Sequence, residues 1–156
     1  MTFTDTGLVN TIVRDITSFG SLEIHGLIFL GLLAVGKIEL ALQFLVANVV
    51  CMAVVYAIRF LYFRARPGRV REKKYKTILH RLDASSFPSI HGYRSALLPI
   101  VLSQGLPLAA VLLLWALGFA IAFSRLYLKH HHPSDVITGF VLGLVVSYLT
   151  ITFLVF

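Results

Sequence analysis

Residues 38–58 read IELALQFLVANVVCMAVVYAI, twenty-one positions carrying one charged side chain, Glu39. As a helix this run covers roughly 30 Å, the thickness of the hydrocarbon core of a bilayer. Its apolar residues leave no wide polar face for water, as a surface helix of a soluble protein would. Gln43 and Asn48 inside it, like Glu39, read as partners for hydrogen bonds between helices.

The rest of the 156-residue chain agrees with that reading. Hydrophobic residues make up 58% and charged residues 13%, with a mean hydropathy of +0.86, against roughly 45–50% apolar and about 25% charged in soluble domains. A soluble domain is excluded, and one membrane-embedded domain over residues 1–156 is expected. Cys51 is the sole cysteine and lies within the apolar run, which excludes a disulfide framework and a cysteine-based metal site. Four further runs read as spans: 16–36, 91–105 with Pro99 inside it, 108–123 continuing toward 128, and 133–156. Lys37 alone separates the first two spans, which calls for a tight reversal. The expected fold class is therefore all-α, a polytopic transmembrane helical bundle of about five spans. The first seventeen residues place Asp5, Arg14 and Asp15 among Phe3, Leu8, Val9, Ile12 and Val13, a spacing that fits a short N-terminal interfacial helix and not a secretory signal. Gly139 and Gly143 form a small-xxx-small pair suited to close helix packing.

Counting crossings places the end of the second span, the start of the third, the end of the fourth and the start of the fifth on one face. Those ends carry Arg59, Arg66-Pro67, Pro88-Ser89-Ile90-His91, Ser124-Arg125, His131 and Asp135. The other face offers Lys37, Glu39 and the Gly105-Leu106-Pro107 turn. Three arginines provide forked donors for anionic oxygens, and a helix start near Ser89 offers free backbone N–H groups. A histidine titrates near neutrality and serves as nucleophile or general acid. Asp135, four residues after His131 with Pro133 at the first helical position, is placed to orient the imidazole. This is chemistry for a phosphate group.

The three stretches Arg59-x6-Arg66-Pro67, Pro88-Ser89-Ile90-His91 and Ser124-Arg125-x5-His131-x3-Asp135 resemble the motifs of the type 2 phosphatidic acid phosphatase superfamily. Those motifs read Lys-x6-Arg-Pro, Pro-Ser-Gly-His and Ser-Arg-x5-His-x3-Asp, and the resemblance spans about half the chain. It implies an integral membrane phosphatase acting on a lipid phosphomonoester, of phosphatidic acid or phosphatidylglycerophosphate type, or on a polyprenyl diphosphate. It further implies a phosphohistidine on His131 oriented by Asp135, with His91 as general acid. Arg59, Arg66, Ser89, the Ile90 N–H and Arg125 would hold the phosphate, with no metal or other cofactor. Arg59 replaces the usual Lys and keeps its charge; Ile90 replaces the usual Gly, keeps the N–H and narrows the space beside His91.

Two other classes compete with this reading: a transphosphatase passing the phosphoryl group to an alcohol, and a non-catalytic phospholipid-binding or transport protein. A transporter places its polar residues near mid-membrane, whereas here they gather at one end. In the run His130-His131-His132 the spacing of the last motif selects His131, and three successive side chains do not converge easily on one ion. Tyr93, Arg94 and Tyr127 stand near the motifs as weaker candidates for substrate contact, and His25 and His80 read as structural. Nine of the fourteen basic residues lie from Arg59 to Arg81. Among them Arg64, Arg69, Arg71, Lys73, Lys74, Lys76 and Arg81 read mostly as a solvated loop that attracts anionic lipid headgroups. No aromatic-interleaved basic platform for nucleic acid is present. The basic excess predicts a cytoplasmic site and N-terminus in the cell membrane. The sequence carries no reading of oligomeric state or of which lipid is used.

Overall fold

In the computed structural model, residues 7–68 and 75–154 are described. Seven helices form among them: α1 (Gly7–Ser18), α2 (Leu22–Ala34), α3 (Ile38–Leu61), α4 (Ile78–Ala84), α5 (Ile90–Leu102), α6 (Leu108–Tyr127) and α7 (Pro133–Phe153). Three of them, α3, α6 and α7, are long and apolar enough to cross a membrane. A fourth span exists if α1 and α2, bent by 50° at their junction, are counted as one. The protein is thus an integral membrane helical bundle with three to four candidate spans, fewer than the five expected.

The shortfall has two physical causes. The run 91–105 forms α5, only 13 residues long and so about 20 Å, too short for the hydrocarbon core. It lies inside the protein, with Gly92 through Pro99 and Val101 all buried. Hydropathy does not separate a helix surrounded by protein from one surrounded by lipid. The run 16–36 is broken at Phe19-Gly20-Ser21, where Ser21 caps α2 by accepting from the Ile24 N–H at 3.3 Å. The expected interfacial segment becomes α1, which packs on α6; the part of it at Phe3 and Asp5 falls outside the described residues. The headgroup loop read at Arg69, Arg71, Lys73 and Lys74 also falls outside them.

Helices α3, α6 and α7 surround α5, and α2 rests on α3. The core joins Phe44, Ala47, Cys51 and Val55 of α3 to Tyr93, Leu97 and Val101 of α5. Leu112, Leu113, Phe119 and Phe123 of α6, with Val145 and Leu149 of α7, are exposed, an outer surface suited to acyl chains. The seam between α5 and α7 depends on absent side chains. A Cβ at Gly139 would strike the Ser89 carbonyl oxygen, and one at Gly143 the Tyr93 carbonyl oxygen. Pro99 has no N–H to give the Ser95 carbonyl, and Gly118 of α6 lies directly against that oxygen.

Asn48 and Gln43, within α3, are both paired. Asn48 joins α3 to α2 through His25 Nδ1 at 3.2 Å, and His25 stacks on Phe44 with ring centroids 5.1 Å apart. At the far end of the bundle Gln43 donates to the Leu154 carbonyl at 2.9 Å and accepts from Gln104 at 2.8 Å.

Replacing Gly143 by Leu drives a side chain into the α5 backbone. A loss of about 1–3 kcal/mol is expected, the usual cost of overpacking, read as a lower thermal midpoint in detergent. An unchanged midpoint would contradict the close α5–α7 seam.

Candidate active site

The end of α3, the starts of α5 and α7 and the end of α6 meet at one end of the bundle. Arg59, buried near the end of α3, ties this meeting together. Its Nη1 donates to the Leu82 carbonyl at 3.1 Å and its Nη2 to the Pro88 carbonyl at 2.8 Å. The Ser89 N–H donates to the Asp135 carbonyl at 3.0 Å, which joins the first turns of α5 and α7. Between these ends opens a cavity of about 350 Å³. Arg59, Arg66, His91, Arg94, Arg125 and His131 line it together with Ile90, Met52, Tyr56, Asp83 and the α1–α2 junction at Ser21, Leu22 and Glu23.

His131 stands in the loop between α6 and α7 and is 4% exposed. Its Nδ1 lies 2.8 Å from the Ser86 carbonyl oxygen. A carbonyl only accepts, so Nδ1 carries the proton and Nε2 keeps its lone pair in the neutral ring. Burial pushes the His131 pKa below the ordinary histidine value; Arg125 and Arg66 act the same way, and Asp135 opposes them. The ring is therefore neutral at neutral pH.

The part expected of Asp135 changes in detail. Its Oδ2 is 3.7 Å from His131 Nδ1, beyond hydrogen-bond length. At the third position of α7 the carboxylate instead accepts from the His132 N–H at 2.8 Å, capping its own helix, and from Arg64 Nη1 at 2.7 Å. The Ser86 carbonyl orients the ring directly, while Asp135 supplies a nearby negative charge. Arg64, read as part of a solvated loop, is turned inward and also donates to Ser134 Oγ at 2.7 Å.

The remaining expected residues divide into two groups. His91 lines the cavity and packs so tightly on the α1–α2 junction that a methyl group at Gly20 would come within 2.7 Å of its Cδ2. Arg125 lines it too, with Nη1 donating to Thr17 Oγ1 at 2.8 Å. Arg66 reaches the Asp83 carbonyl through Nη2 at 3.1 Å, and Ile90 forms part of the wall. Ser89 is not brought to the cavity. It is fully buried and caps α5, its Oγ accepting from the Gly92 N–H at 3.1 Å. Of the weaker candidates, Arg94 faces the cavity, Tyr93 is buried in the core and Tyr127 lies exposed. His132 Nε2 approaches the Ala65 carbonyl at 3.3 Å. Among the described residues no three His, Cys, Asp or Glu side chains come together as a metal site.

Sequence reasoning missed Ser86, because a backbone acceptor leaves no mark in residue type, and Arg64, because its charge was grouped with its basic neighbours. The arrangement offers an uncharged imidazole nitrogen, a second histidine and several guanidinium groups around one small space, which suits attack on an anionic phosphorus centre.

Removing the Arg64 side chain leaves the fully buried Asp135 carboxylate with one donor fewer. Arg64→Met is expected to cost about 1–3 kcal/mol, reduced by the partial exposure of Arg64. Combining it with Asp135→Asn in a double-mutant cycle should recover part of that loss, whereas strict additivity in denaturant unfolding would show no coupling.

Residues 40–156 match the PAP2 superfamily. The chain is 27% identical over 154 residues to undecaprenyl-diphosphatase BcrC of Bacillus subtilis (strain 168), covering 94% of this chain and 75% of that protein. Its fold is similar to the crystal structure of Aquifex aeolicus LpxE, with a TM-score of 0.79 and 21% identity over 94% of this chain and 87% of that one. It is also similar to the PAP2 type phosphatidylglycerolphosphate phosphatase from Bacillus subtilis, with a TM-score of 0.72 and 23% identity over 97% of this chain and 78% of that one.

Proposed function

The chain belongs to the PAP2 superfamily and is a membrane lipid phosphatase of that type; we propose that it hydrolyses its substrate through a phosphohistidine on His131, without a metal. The observation that carries this reading is the fixed ring of His131. With Nδ1 held by the Ser86 carbonyl, Nε2 is the nucleophile on the cavity side. Arg59, Arg66 and Arg125 hold the phosphoryl oxygens and offset charge as it redistributes in transit. His91 protonates the leaving oxygen and, in the second half, takes a proton from water as water attacks the phosphohistidine. The Ile90 N–H supports the phosphate at the first turn of α5, where backbone donors are free. Ser89 acts one step back, by capping and placing that turn. Asp135 stabilises the charge that the His131 ring acquires on attack.

An amphiphile fits this site because its tail remains in hydrocarbon while its headgroup reaches the helix ends. The substrates compatible with this chemistry are a phosphomonoester such as phosphatidic acid or phosphatidylglycerophosphate, and a polyprenyl diphosphate. The undecaprenyl-diphosphatase relative favours the last.

The test is phosphate release by purified protein in detergent. His131→Ala is expected to abolish it, and His91→Ala to lower it by roughly 10²–10⁴-fold, the usual worth of a positioned acid or base. If both variants kept full activity, the phosphohistidine route would be overturned. Because the nucleophile must be neutral and its pKa lies below that of an ordinary histidine, kcat/KM should persist through pH 6.5. It should fall only on further acidification, as His131 gains its proton. Loss of activity already above pH 6.5 would contradict a buried, neutral His131.

The site is assigned to the cytoplasmic face of the cell membrane on the basic excess of the segment from Arg59 to Arg81. Cys51 is buried, so a cysteine introduced at exposed Lys76 reports the face cleanly. An impermeant thiol reagent should leave it unlabelled in intact cells and label it after permeabilisation; labelling in intact cells would reverse the orientation.

A further inference from the structure

Arg94 is a cation in the cavity that the mechanism above does not use. It stands three residues after His91 on α5, so the two side chains share a helix face, and Arg94 lies about 4.5 Å further along the axis from the end where the phosphoryl group is held. Its side chain lines the cavity and the residue is 3% exposed. One amino group, Nη1, donates to the Gly20 carbonyl at 3.2 Å, and the buried Nε has no hydrogen-bond partner. Glu23 and Asp83 line the same cavity. Glu23 lies within electrostatic reach of Arg94, yet neither carboxylate is joined to Arg94 by an ion pair of the kind that links Arg64 to Asp135. A buried guanidinium without a direct ion pair and with an unused donor is costly unless an anion completes it.

Its position says which anion. In the mechanism proposed above, the phosphoryl group under attack is held among His131, Arg59, Arg66 and Arg125, with the leaving oxygen toward His91. Arg94, about 4.5 Å further along α5 on the face shared with His91, is placed to meet the next group along that substrate. We propose that Arg94 forms a subsite for a negatively charged leaving group, making a lipid diphosphate the preferred substrate over a lipid monophosphate of the same chain. The inference rests on the phosphatase reading above. In the step itself, His131 Nε2 bonds to the terminal phosphorus as the bond from that phosphorus to the bridging oxygen breaks. The electron pair goes to that oxygen, and a lipid monophosphate leaves, protonated by His91 and held by Arg94. Water then cleaves the phosphohistidine, releasing inorganic phosphate and restoring neutral His131.

The experiment compares kcat/KM for a polyprenyl diphosphate and for the polyprenyl monophosphate of equal chain length, using purified wild type, Arg94→Lys and Arg94→Gln. Wild type should favour the diphosphate by tenfold or more, the worth of a charge-assisted hydrogen bond. Arg94→Gln should lower that ratio by ten- to hundredfold, and Arg94→Lys should fall between the two. Equal use of both substrates by wild type, or a ratio untouched by Arg94→Gln whatever its absolute activity, overturns the subsite and leaves the phosphatase reading standing. Phosphate release from neither substrate removes both. Since Arg94 also holds the Gly20 carbonyl, inhibition of wild type gives a measurement independent of folding of the variant. Methylenediphosphonate should inhibit at a concentration at least tenfold below that of inorganic phosphate, and equal potency would again overturn the subsite.

Discussion

Helix α5 is too short to cross a bilayer and too polar to face lipid, and most of the architecture follows from enclosing it. Its 13 residues bring His91, Arg94 and Ser95 into surroundings where an unsatisfied polar group costs several kcal/mol. The bundle meets this by wrapping α3, α6 and α7 around it. Backbones approach closely where Gly118, Gly139 and Gly143 have no side chains to intervene. Ser89 satisfies one orphan donor at the start of α5, and Ser95 Oγ donates to the Gly92 carbonyl at 2.7 Å. A helix held this way has its N-terminus fixed against α7, and the cavity forms at that junction.

Charge is handled by a related device. The buried guanidinium groups of Arg59, Arg94 and Arg125 are met by carbonyl and hydroxyl oxygens, those of Leu82, Pro88, Gly20 and Thr17. Carbonyls and hydroxyls satisfy donors without cancelling positive charge, so the cavity stays ready for an anion. The acidic residue closest to the chemistry, Asp135, is engaged by Arg64 and by its own helix start. Three of these four contacts, two from Arg59 and one from Arg94, end on backbone carbonyls. Positioning and anion binding thus share the same side chains.

The long helices were legible because a run of apolar residues needs nothing beyond its own composition. The expected spans 38–58, 108–123 with its continuation toward 128, and 133–156 correspond to Ile38–Leu61, Leu108–Tyr127 and Pro133–Phe153. The break between α1 and α2 was written in Gly20-Ser21, yet the apolar residues on both sides masked it. Helix α4 went unread since its seven residues carry little periodicity, although Thr77 caps it by accepting from the His80 N–H at 3.1 Å. Within the site, motif spacing brought out His91, His131, Arg59, Arg66 and Arg125, all of which line one cavity. It did not show that Ser89 Oγ caps α5, and it gave no weight to Ser86.

By itself, then, the sequence determined a helical membrane protein and the end of the bundle where its polar residues gather, because hydropathy and the order of crossings are properties of the chain alone. Tertiary structure decided that α5 is enclosed and does not face lipid, since only neighbouring helices distinguish burial in protein from burial in lipid. It also decided that the Ser86 carbonyl stands closer to His131 Nδ1 than the Asp135 carboxylate does. Arg94 depends on the same distinction: its place on α5 is written in the sequence, but an unpaired donor in a shared cavity exists only once α1, α2 and α3 have closed around it.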